Sequence, residues 1–367
     1  MPDVIIYGDT VRSPELRHEV PVSVPDPFIY LERNGRRTAF VGSLEIPRLE
    51  GIEGLATVPL EELGFDELVE QGLSWHEQTP ELVLRACRHA SVSEVVAPRD
   101  FPLEIADFLR AHDVSVEARG KLFDARRRVK TQAEIEGVRR AQQASEQAMD
   151  AIRARLRKGG EPTSEELQAE ATRVFSAAGV IAPDLVLVSS GAQTVVGHEP
   201  GRGPIRPGEP IVVDLFPRDP LSGCHGDMTR TFCLGEPPEE LVRYHALVRE
   251  ALDLACATIR PGITGREAHR AVCELFEEHG YATQLSKEPG EVLEEGFFHS
   301  LGHGVGLEVH ELPALGRSGE EIVAGDVLAV EPGLYRKGFG GCRLEDVVLV
   351  TEDGCEVLAD YPYELAP

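Results

Sequence analysis

Short apolar runs and helical patterns alternate along the first third of the chain. Four runs bounded by Gly, Pro or polar residues predict β-strands over residues 4–7, 28–31, 38–41 and 94–97. Apolar positions recur at helical spacing over residues 81–90 and 102–112, which predicts two helices. This alternation predicts a small α/β domain.

After residue 130 the pattern changes to longer helices, each preceded by a start signal. Three Thr-x-x-Glu sequences, beginning at Thr131, Thr163 and Thr264, fit the capping box, in which both side chains satisfy free backbone N–H groups. With a fourth segment that follows two prolines, they predict helices over residues 132–157, 164–178, 238–259 and 265–279. Apolar runs predict strands over residues 185–189, 211–216, 228–234, 327–331 and 346–351.

A helix pair followed by strands occurs twice in this second part, which favours an α+β domain built from two related halves. A basic segment, residues 121–130, lies between the two patterns and is interpreted as a linker or an exposed strand. Single cores rarely extend beyond about 250–300 residues, and the chain has 367. We therefore predict two domains, an α/β domain over residues 1–122 and an α+β domain over residues 123–367.

Charge and composition argue against several classes of protein. The formal net charge of −26 disfavours a nucleic-acid-binding protein, which needs a cationic face for phosphates. No apolar run approaches the roughly 18–20 residues that span a bilayer, and the N-terminus lacks the pattern of a signal peptide. The seven cysteines are scattered and do not resemble a disulfide framework. We expect a cytoplasmic protein that binds neither membranes nor nucleic acids.

Four acidic residues stand within or beside predicted strands of the second domain, where a charge is costly. They are Asp214, Asp227, Glu331 and Glu345. An unpaired carboxylate in such surroundings is unfavourable, so each should be protonated, paired with a cation or bound to a metal. His303, with a glycine on each side, adds a nitrogen donor that a closely packed site can accommodate. The pattern predicts a metal centre.

The ligand types restrict the choice of metal. Carboxylates and one imidazole favour Mn²⁺, Co²⁺ or Fe²⁺ over the thiolate-rich sites typical of structural Zn²⁺. Four negative charges match two divalent ions, and two ions about 3.5–4 Å apart can share a water, lower its pKa and polarise a carbonyl. A zinc cluster of Cys224, His225 and Cys233 is the alternative, but its spacing is wrong for such a site.

The motifs around these residues resemble the pita-bread family of metallopeptidases, and especially its prolidase and aminopeptidase P branch. The resemblance covers about residues 125–365 and rests on Asp214, Asp227-Met-Thr-Arg-Thr-Phe, Gly-His303-Gly-Val-Gly, Glu331-Pro-Gly-Leu-Tyr and Arg343-Leu-Glu345. It implies that residues 1–122 form a non-catalytic domain and that residues 123–367 form a catalytic pita-bread domain with pseudo-two-fold halves. It also implies a two-ion site, usually of Mn²⁺ or Co²⁺. The implied ligands are Asp214, Asp227, His303, Glu331 and Glu345, with Asp227 and Glu345 bridging the ions.

The resemblance also implies a reaction, which is hydrolysis of the Xaa–Pro bond in dipeptides or short peptides by a hydroxide that bridges the ions. His198 and His310 match the family's two histidines beside the scissile bond. Glu331 is implied as a catalytic group as well as a ligand. Arg343 resembles an arginine that contacts the substrate or supports Glu345. The family further suggests a homodimer in which the N-terminal domain of one subunit narrows the entrance to the other's active site.

Two departures from the family and two alternative functions are apparent. Asp227 follows Asp214 by thirteen residues rather than the family's eleven, which introduces Asp219 as a competing acid, and Gly197 replaces the usual Pro before His198.

A non-catalytic binding module is one alternative function, although such a module would be expected to have lost some of the metal ligands. A methionine aminopeptidase-like or creatinase-like hydrolase is the other, disfavoured by the N-terminal domain and the complete ligand set. Dipeptidase and aminopeptidase preferences stay open, as does the metal, with Zn²⁺ or Fe²⁺ also acceptable.

Overall fold

The computed structural model describes residues 2–183 and 185–367, and the chain divides into two compact units, Met1–Arg127 and Arg128–Pro367. The division lies near the end of a helix over Gly120–Arg128, a few residues beyond the predicted boundary. Within the described ranges, no helix is long and apolar enough to cross a membrane.

A six-stranded mixed sheet forms the first unit, in the order β4-β3-β2-β1-β5-β6. Its strands are β1 (Val4–Gly8), β2 (Phe28–Arg33), β3 (Arg36–Val41), β4 (Leu55–Pro59), β5 (Glu94–Ala97) and β6 (Ser115–Ala118). Its helices are α1 (Pro14–Glu19), α2 (Ile46–Leu49), α3 (Phe65–Glu70), α4 (Trp75–His89), α5 (Leu103–Ala111) and α6 (Gly120–Arg128). Separate apolar clusters pack on its two faces, one including Leu82 and Leu109 and the other Leu16 and Phe123.

The second unit contains four long helices and three small sheets, ordered β7-β8-β9, β10-β14-β15 and β12-β11-β13-β16-β17. The helices are α7 (Gln132–Arg157), α8 (Ser164–Ala178), α9 (Glu239–Thr258) and α10 (Gly265–Glu278). The strands of the first sheet are β7 (Leu187–Ser190), β8 (Pro210–Leu215) and β9 (Met228–Cys233). The other strands are β10 (Glu295–Gly296), β11 (Gly302–Gly304), β12 (Glu311–Leu315), β13 (Val327–Val330), β14 (Gly333–Arg336), β15 (Gly340–Arg343), β16 (Asp346–Val350) and β17 (Cys355–Val357).

Each helix pair of the second unit packs on strands of its own half. Ile152 of α7 and Phe175 of α8 share a core cluster with Val213 and Phe232 of the first sheet. In the second half, α9 and α10 pack in the same way on β13 and β16 in a separate cluster. The predicted arrangement of two related halves beside a smaller α/β unit is confirmed.

The helix ends follow the capping signals. Thr131 and Thr264 each form a complete capping box, and Thr163 accepts the backbone N–H of Glu166. The interpretation of residues 121–130 as a linker or exposed strand is wrong, because α6 covers most of them. There Phe123 and Arg127 are buried, so the basic segment packs one side against the first unit.

Candidate metal centre and active site

Four strand ends and one short strand carry the predicted ligands. Asp214 lies near the end of β8, and Asp227 directly precedes β9, which pairs with it. His303 is the central residue of β11, Glu331 follows β13, and Glu345 precedes β16. Because Val330 of β13 pairs with both Asp346 of β16 and Gly302 of β11, the positions of Glu331, Glu345 and His303 lie close together in this sheet.

The glycines beside His303 allow this convergence. A Cβ at Gly302 would lie 1.9 Å from the carbonyl oxygen of Ala329 in β13, and one at Gly304 would lie 2.5 Å from that of Leu312 in β12. No side chain can occupy either position without displacing backbone. The central strand therefore needs both glycines to lie between its neighbours while His303 projects into the site.

The donor atoms lie close enough to share ions. Asp227, His303 and Glu345 each present one donor atom, and these atoms lie within 4.8 Å of one another. Nε2 of His303 is 3.9 Å from Oδ2 of Asp227 and 3.8 Å from Oε1 of Glu331. Oδ1 of Asp214 is buried and has no hydrogen-bond partner among the described residues. A buried carboxylate oxygen without a partner is the kind of atom that a cation would satisfy.

The electrostatics of the cluster favour a multivalent cation. Burial raises the pKa values of Asp214, Asp227 and Glu345, and that of Glu331 to about 7. For Asp227, repulsion from the neighbouring carboxylates, Glu345 first, raises the pKa further. Four carboxylates thus lie close together in a largely buried site, and the guanidinium of Arg343 supplies positive charge beside Asp214 and Glu331. The donor set fits two divalent ions.

His303 is prepared to act as a neutral ligand. Burial, and then the nearby His310, lower its pKa to about 4. Its Nδ1 lies 3.1 Å from the carbonyl oxygen of Gly304, so Nδ1 carries the proton and donates there. The lone pair on Nε2 then points at the carboxylates, which is the arrangement that metal-binding histidines use.

Two histidines line the open side of the cluster. His310 directly precedes β12, and its ring centroid lies 4.2 Å from that of His303. The ring of His198 is 6.3 Å from the ring of His310. Both are exposed, unlike the carboxylates beneath them. Partial burial and the neighbouring His198 lower the pKa of His310.

Arg343 lies inside the carboxylate cluster. Its guanidinium pairs with Asp214, its Nε is 3.8 Å from Oε2 of Glu331, and that same Nε donates to Thr229 Oγ1 at 3.2 Å. Arg343 is buried. Arg343 therefore contacts two of the predicted ligand carboxylates.

The longer hairpin between Asp214 and Asp227 contains an additional acidic residue, Asp219, whose charge has partners within the fold. Asp219 is buried, accepts two hydrogen bonds from Arg140 at 3.1 and 2.8 Å, and accepts two more from Ser222. These bonds lower its pKa. Asp219 fastens the hairpin to α7, and both of its carboxylate oxygens accept the hydrogen bonds of Arg140 and Ser222.

Sequence reasoning missed the residues that support the ligands. Thr229 donates to Oε2 of Glu345 at 2.6 Å, and the side-chain oxygen of Gln142 accepts the backbone N–H of Asp227 at 3.0 Å. Thr229 follows Asp227 by two residues on β9, so the alternation of side chains along a strand could have placed it on the ligand face. Gln142 lies on α7, and nothing local in the sequence indicates its contact.

A buried ion pair lies beneath the strand that follows His310. Lys130 pairs with Glu311, and their side chains are only 2% and 3% exposed. Lys130 also donates to the carbonyl oxygen of Arg128 at 3.0 Å. The pair therefore holds the first residue of β12, which directly follows His310.

We expect Lys130→Met to lower the free energy of unfolding by about 3–5 kcal/mol, because it leaves the charge of Glu311 buried without this partner. Lys337→Met is the matched control. Its pair with Glu294 is exposed (69% and 64%), and such pairs contribute about 0–1 kcal/mol. Urea unfolding of both variants measures the difference. Equal losses would show that the buried pair has no special role.

Comparisons with known proteins agree on one family. The family model described as metallopeptidase family M24 matches residues 136–352. A probable dipeptidase PepE of Mycobacterium tuberculosis is 32% identical over 246 residues, 65% of this chain and 60% of the relative. An Xaa-Pro dipeptidase of Pyrococcus furiosus is 31% identical over 240 residues, 65% of this chain and 64% of the relative. The matches thus span less than two thirds of these relatives.

Solved structures share the fold over nearly the whole chain. A prolidase from Pyrococcus furiosus superposes with a TM-score of 0.77 at 23% identity, covering 99% of this chain and 97% of the other. An Xaa-Pro dipeptidase from Bacillus anthracis superposes with a TM-score of 0.80 at 24% identity, covering 100% of this chain and 94% of the other. Because the family model matches more than half of this chain, the chain belongs to metallopeptidase family M24.

Proposed function

We propose that the chain is a two-ion metallopeptidase that hydrolyses the bond preceding proline in dipeptides or short peptides. The observation that carries the proposal is the close group of Asp227, His303 and Glu345, with the carboxylates of Asp214 and Glu331 next to it. Family membership supports peptide hydrolysis, and relatives named Xaa-Pro dipeptidase support the substrate class.

In this proposal the ions are Mn²⁺ or Co²⁺, with Zn²⁺ or Fe²⁺ also acceptable to the donor set. Bound ions supply an activated water and polarise the peptide carbonyl. The residues that hold them are Asp214, Asp227, His303, Glu331 and Glu345. Asp227 and Glu345 would serve both ions, and Glu331 would accept a proton from the water that the ions activate. Arg343 pairs with Asp214 and lies near Glu331, and so keeps both carboxylates in place.

The two open-side histidines meet the particular demand of a proline substrate. The nitrogen of an Xaa–Pro bond carries no hydrogen, so it must gain a proton before it leaves as the ring amine. His310 lies beside His303, His198 lies beside His310, and both are exposed to an arriving peptide. One of them delivers this proton, and the other steadies the carbonyl side of the bond.

A metal titration combined with a peptide panel tests the proposal. Exhaustively demetallated protein should be inactive, and Mn²⁺ or Co²⁺ should restore activity as close to two ions bind per chain. The panel compares Xaa-Pro, Xaa-Pro-Yaa and N-blocked peptides, with Xaa-Ala peptides as controls. Full activity without metal would refute the two-ion mechanism, whereas metal-dependent cleavage of Xaa-Ala but not Xaa-Pro would refute only the substrate class.

We also propose that the chain is a homodimer. Within the described residues, the candidate metal-ligand group lies in the second unit, and the first unit shows none. A non-catalytic unit of this size fits a role in pairing subunits and limiting access to short peptides. Light scattering at micromolar concentration should give twice the 40.1 kDa chain mass, and a monomer over the whole dilution range would contradict this proposal.

A further inference from the structure

Two of the seven cysteines differ from the rest. All seven are free thiols. Cys256 and Cys355 are partly accessible to solvent, whereas five are buried: Cys87, Cys224, Cys233, Cys273 and Cys342. Neither Cys256 nor Cys355 belongs to the metal centre, so the proposed function leaves them unexplained.

The fold places these two residues side by side although 99 positions separate them. Cys256 lies in the last turn of α9, and Cys355 is the first residue of β17, paired with Val350 of β16. The Cys355 thiol lies 3.2 Å from the carbonyl oxygen of Cys256 and donates to it. The two thiols are also close enough to alter each other's pKa.

The surroundings of the two thiols shift their pKa values in opposite directions. Contact with Cys256 lowers the pKa of Cys355, whereas contact with Cys355, followed by burial, raises that of Cys256. Among the buried cysteines, desolvation raises the pKa of Cys87, for example, to about 12. The Cys355 thiol contacts Cys256 and its pKa is lowered, and because the thiolate is the reactive form, Cys355 is favoured as the attacking sulfur of this pair.

We propose that Cys355 and Cys256 are a peroxide-reactive dithiol that closes reversibly into a disulfide. The Cys355 thiolate attacks the terminal oxygen of a hydroperoxide, the O–O bond breaks, and Cys355 becomes a sulfenic acid while the hydroperoxide leaves as an alcohol or water. The Cys256 sulfur then attacks the Cys355 sulfur, forming the S–S bond and releasing water. Two thiols are oxidised, one peroxide is reduced, and a dithiol reductant restores the pair.

The bond would join two parts of the catalytic unit. β17 pairs with β16, and β16 begins directly after Glu345. A disulfide at Cys355 ties this sheet to α9 and closes a loop of about a hundred residues. Such a long loop loses much of its freedom in the unfolded chain, so the oxidised protein should be the more stable form.

Treatment of the full chain with one equivalent of hydrogen peroxide tests the proposal. We expect a mass loss of about 2 Da, one linked peptide pair containing Cys256 and Cys355, and a midpoint of thermal unfolding raised by about 5 °C or more. Dithiothreitol should reverse all three changes. In native protein, iodoacetamide should label Cys355 before the five buried cysteines.

Two variants serve as matched controls. Cys355→Ala should form no link and show no rise in the unfolding midpoint. Cys256→Ala should stop at a sulfenic acid on Cys355, which dimedone traps. Both should hydrolyse peptides as the wild type does, since neither residue contacts the metal centre. The absence of a Cys256–Cys355 link in folded wild-type protein, or oxidation of a buried cysteine first, would overturn the proposal, whatever the outcome of the peptide assays.

Discussion

Glu345→Gln and Asp227→Asn are each expected to reduce peptide hydrolysis below detection while the protein stays folded. Each substitution keeps the shape of the side chain and removes a charge that should contact both ions. Because two divalent ions in a largely buried site need all four carboxylate charges, the loss of one charge should weaken binding of both ions. Activity with saturating Mn²⁺ or Co²⁺ and metal content after dialysis measure the two effects.

The same substitutions should have the opposite effect on the metal-free protein. Burial and mutual repulsion raise the pKa values of Asp227 and Glu345, so the folded state without ions holds these charges unfavourably. Replacing one carboxylate by a neutral amide relieves this repulsion. We therefore expect the metal-free variants to unfold at the same temperature as metal-free wild type or higher, with no rise on adding metal. The wild type alone should gain stability from the ions.

Asp219→Asn is the matched control, because Asp219 is equally buried and has a different environment. Arg140 and Ser222 lower the pKa of Asp219. Its charge therefore stabilises the folded state at pH values above the ordinary pKa of an aspartate, and this stabilisation is lost as the pH falls through the lowered pKa. The control variant should lose stability and keep both ions. If Asp219→Asn lost metal while Glu345→Gln kept it, the ligand assignment would be wrong.

The parts of this structure that could be predicted from sequence depend on local chemistry. Capping boxes mark where α7 and α10 begin because the cap is made by residues three apart. The ligand acids stand out because a charge beside an apolar strand requires a partner. The helix α6 was missed because three consecutive arginines hide the alternation of buried and exposed positions.

The remaining features depend on contacts between distant segments. The short glycine-rich strands β11, β14 and β15 have little apolar pattern, and only their neighbours in the sheet define them. The contact of Arg343 with Asp214 joins residues 129 positions apart, and the pair of Lys130 with Glu311 joins residues 181 apart. No spacing rule within one segment could have indicated either contact.

His198→Ala and His310→Ala should each lower kcat by roughly 10²–10⁴-fold, as is typical when an acid–base group is lost. Both variants should keep their metal, because neither histidine belongs to the candidate donor group of Asp227, His303 and Glu345 and the carboxylates remain complete. Metal analysis and kcat with an Xaa-Pro dipeptide measure the two properties separately. His279→Ala, an exposed histidine at the end of α10, is the matched control and should keep full activity.

The leaving group of the substrate can identify which histidine delivers the proton. A substrate whose departing amine is a weak base, such as an anilide, needs less protonation than the strongly basic proline nitrogen. The variant that lacks the proton donor should therefore recover most of its rate with the anilide, while the variant that lacks the carbonyl-side histidine should stay slow. If both variants were slowed equally with the two substrates, neither histidine would be the proton donor. If either variant lost its metal, that histidine would have to be counted as a ligand.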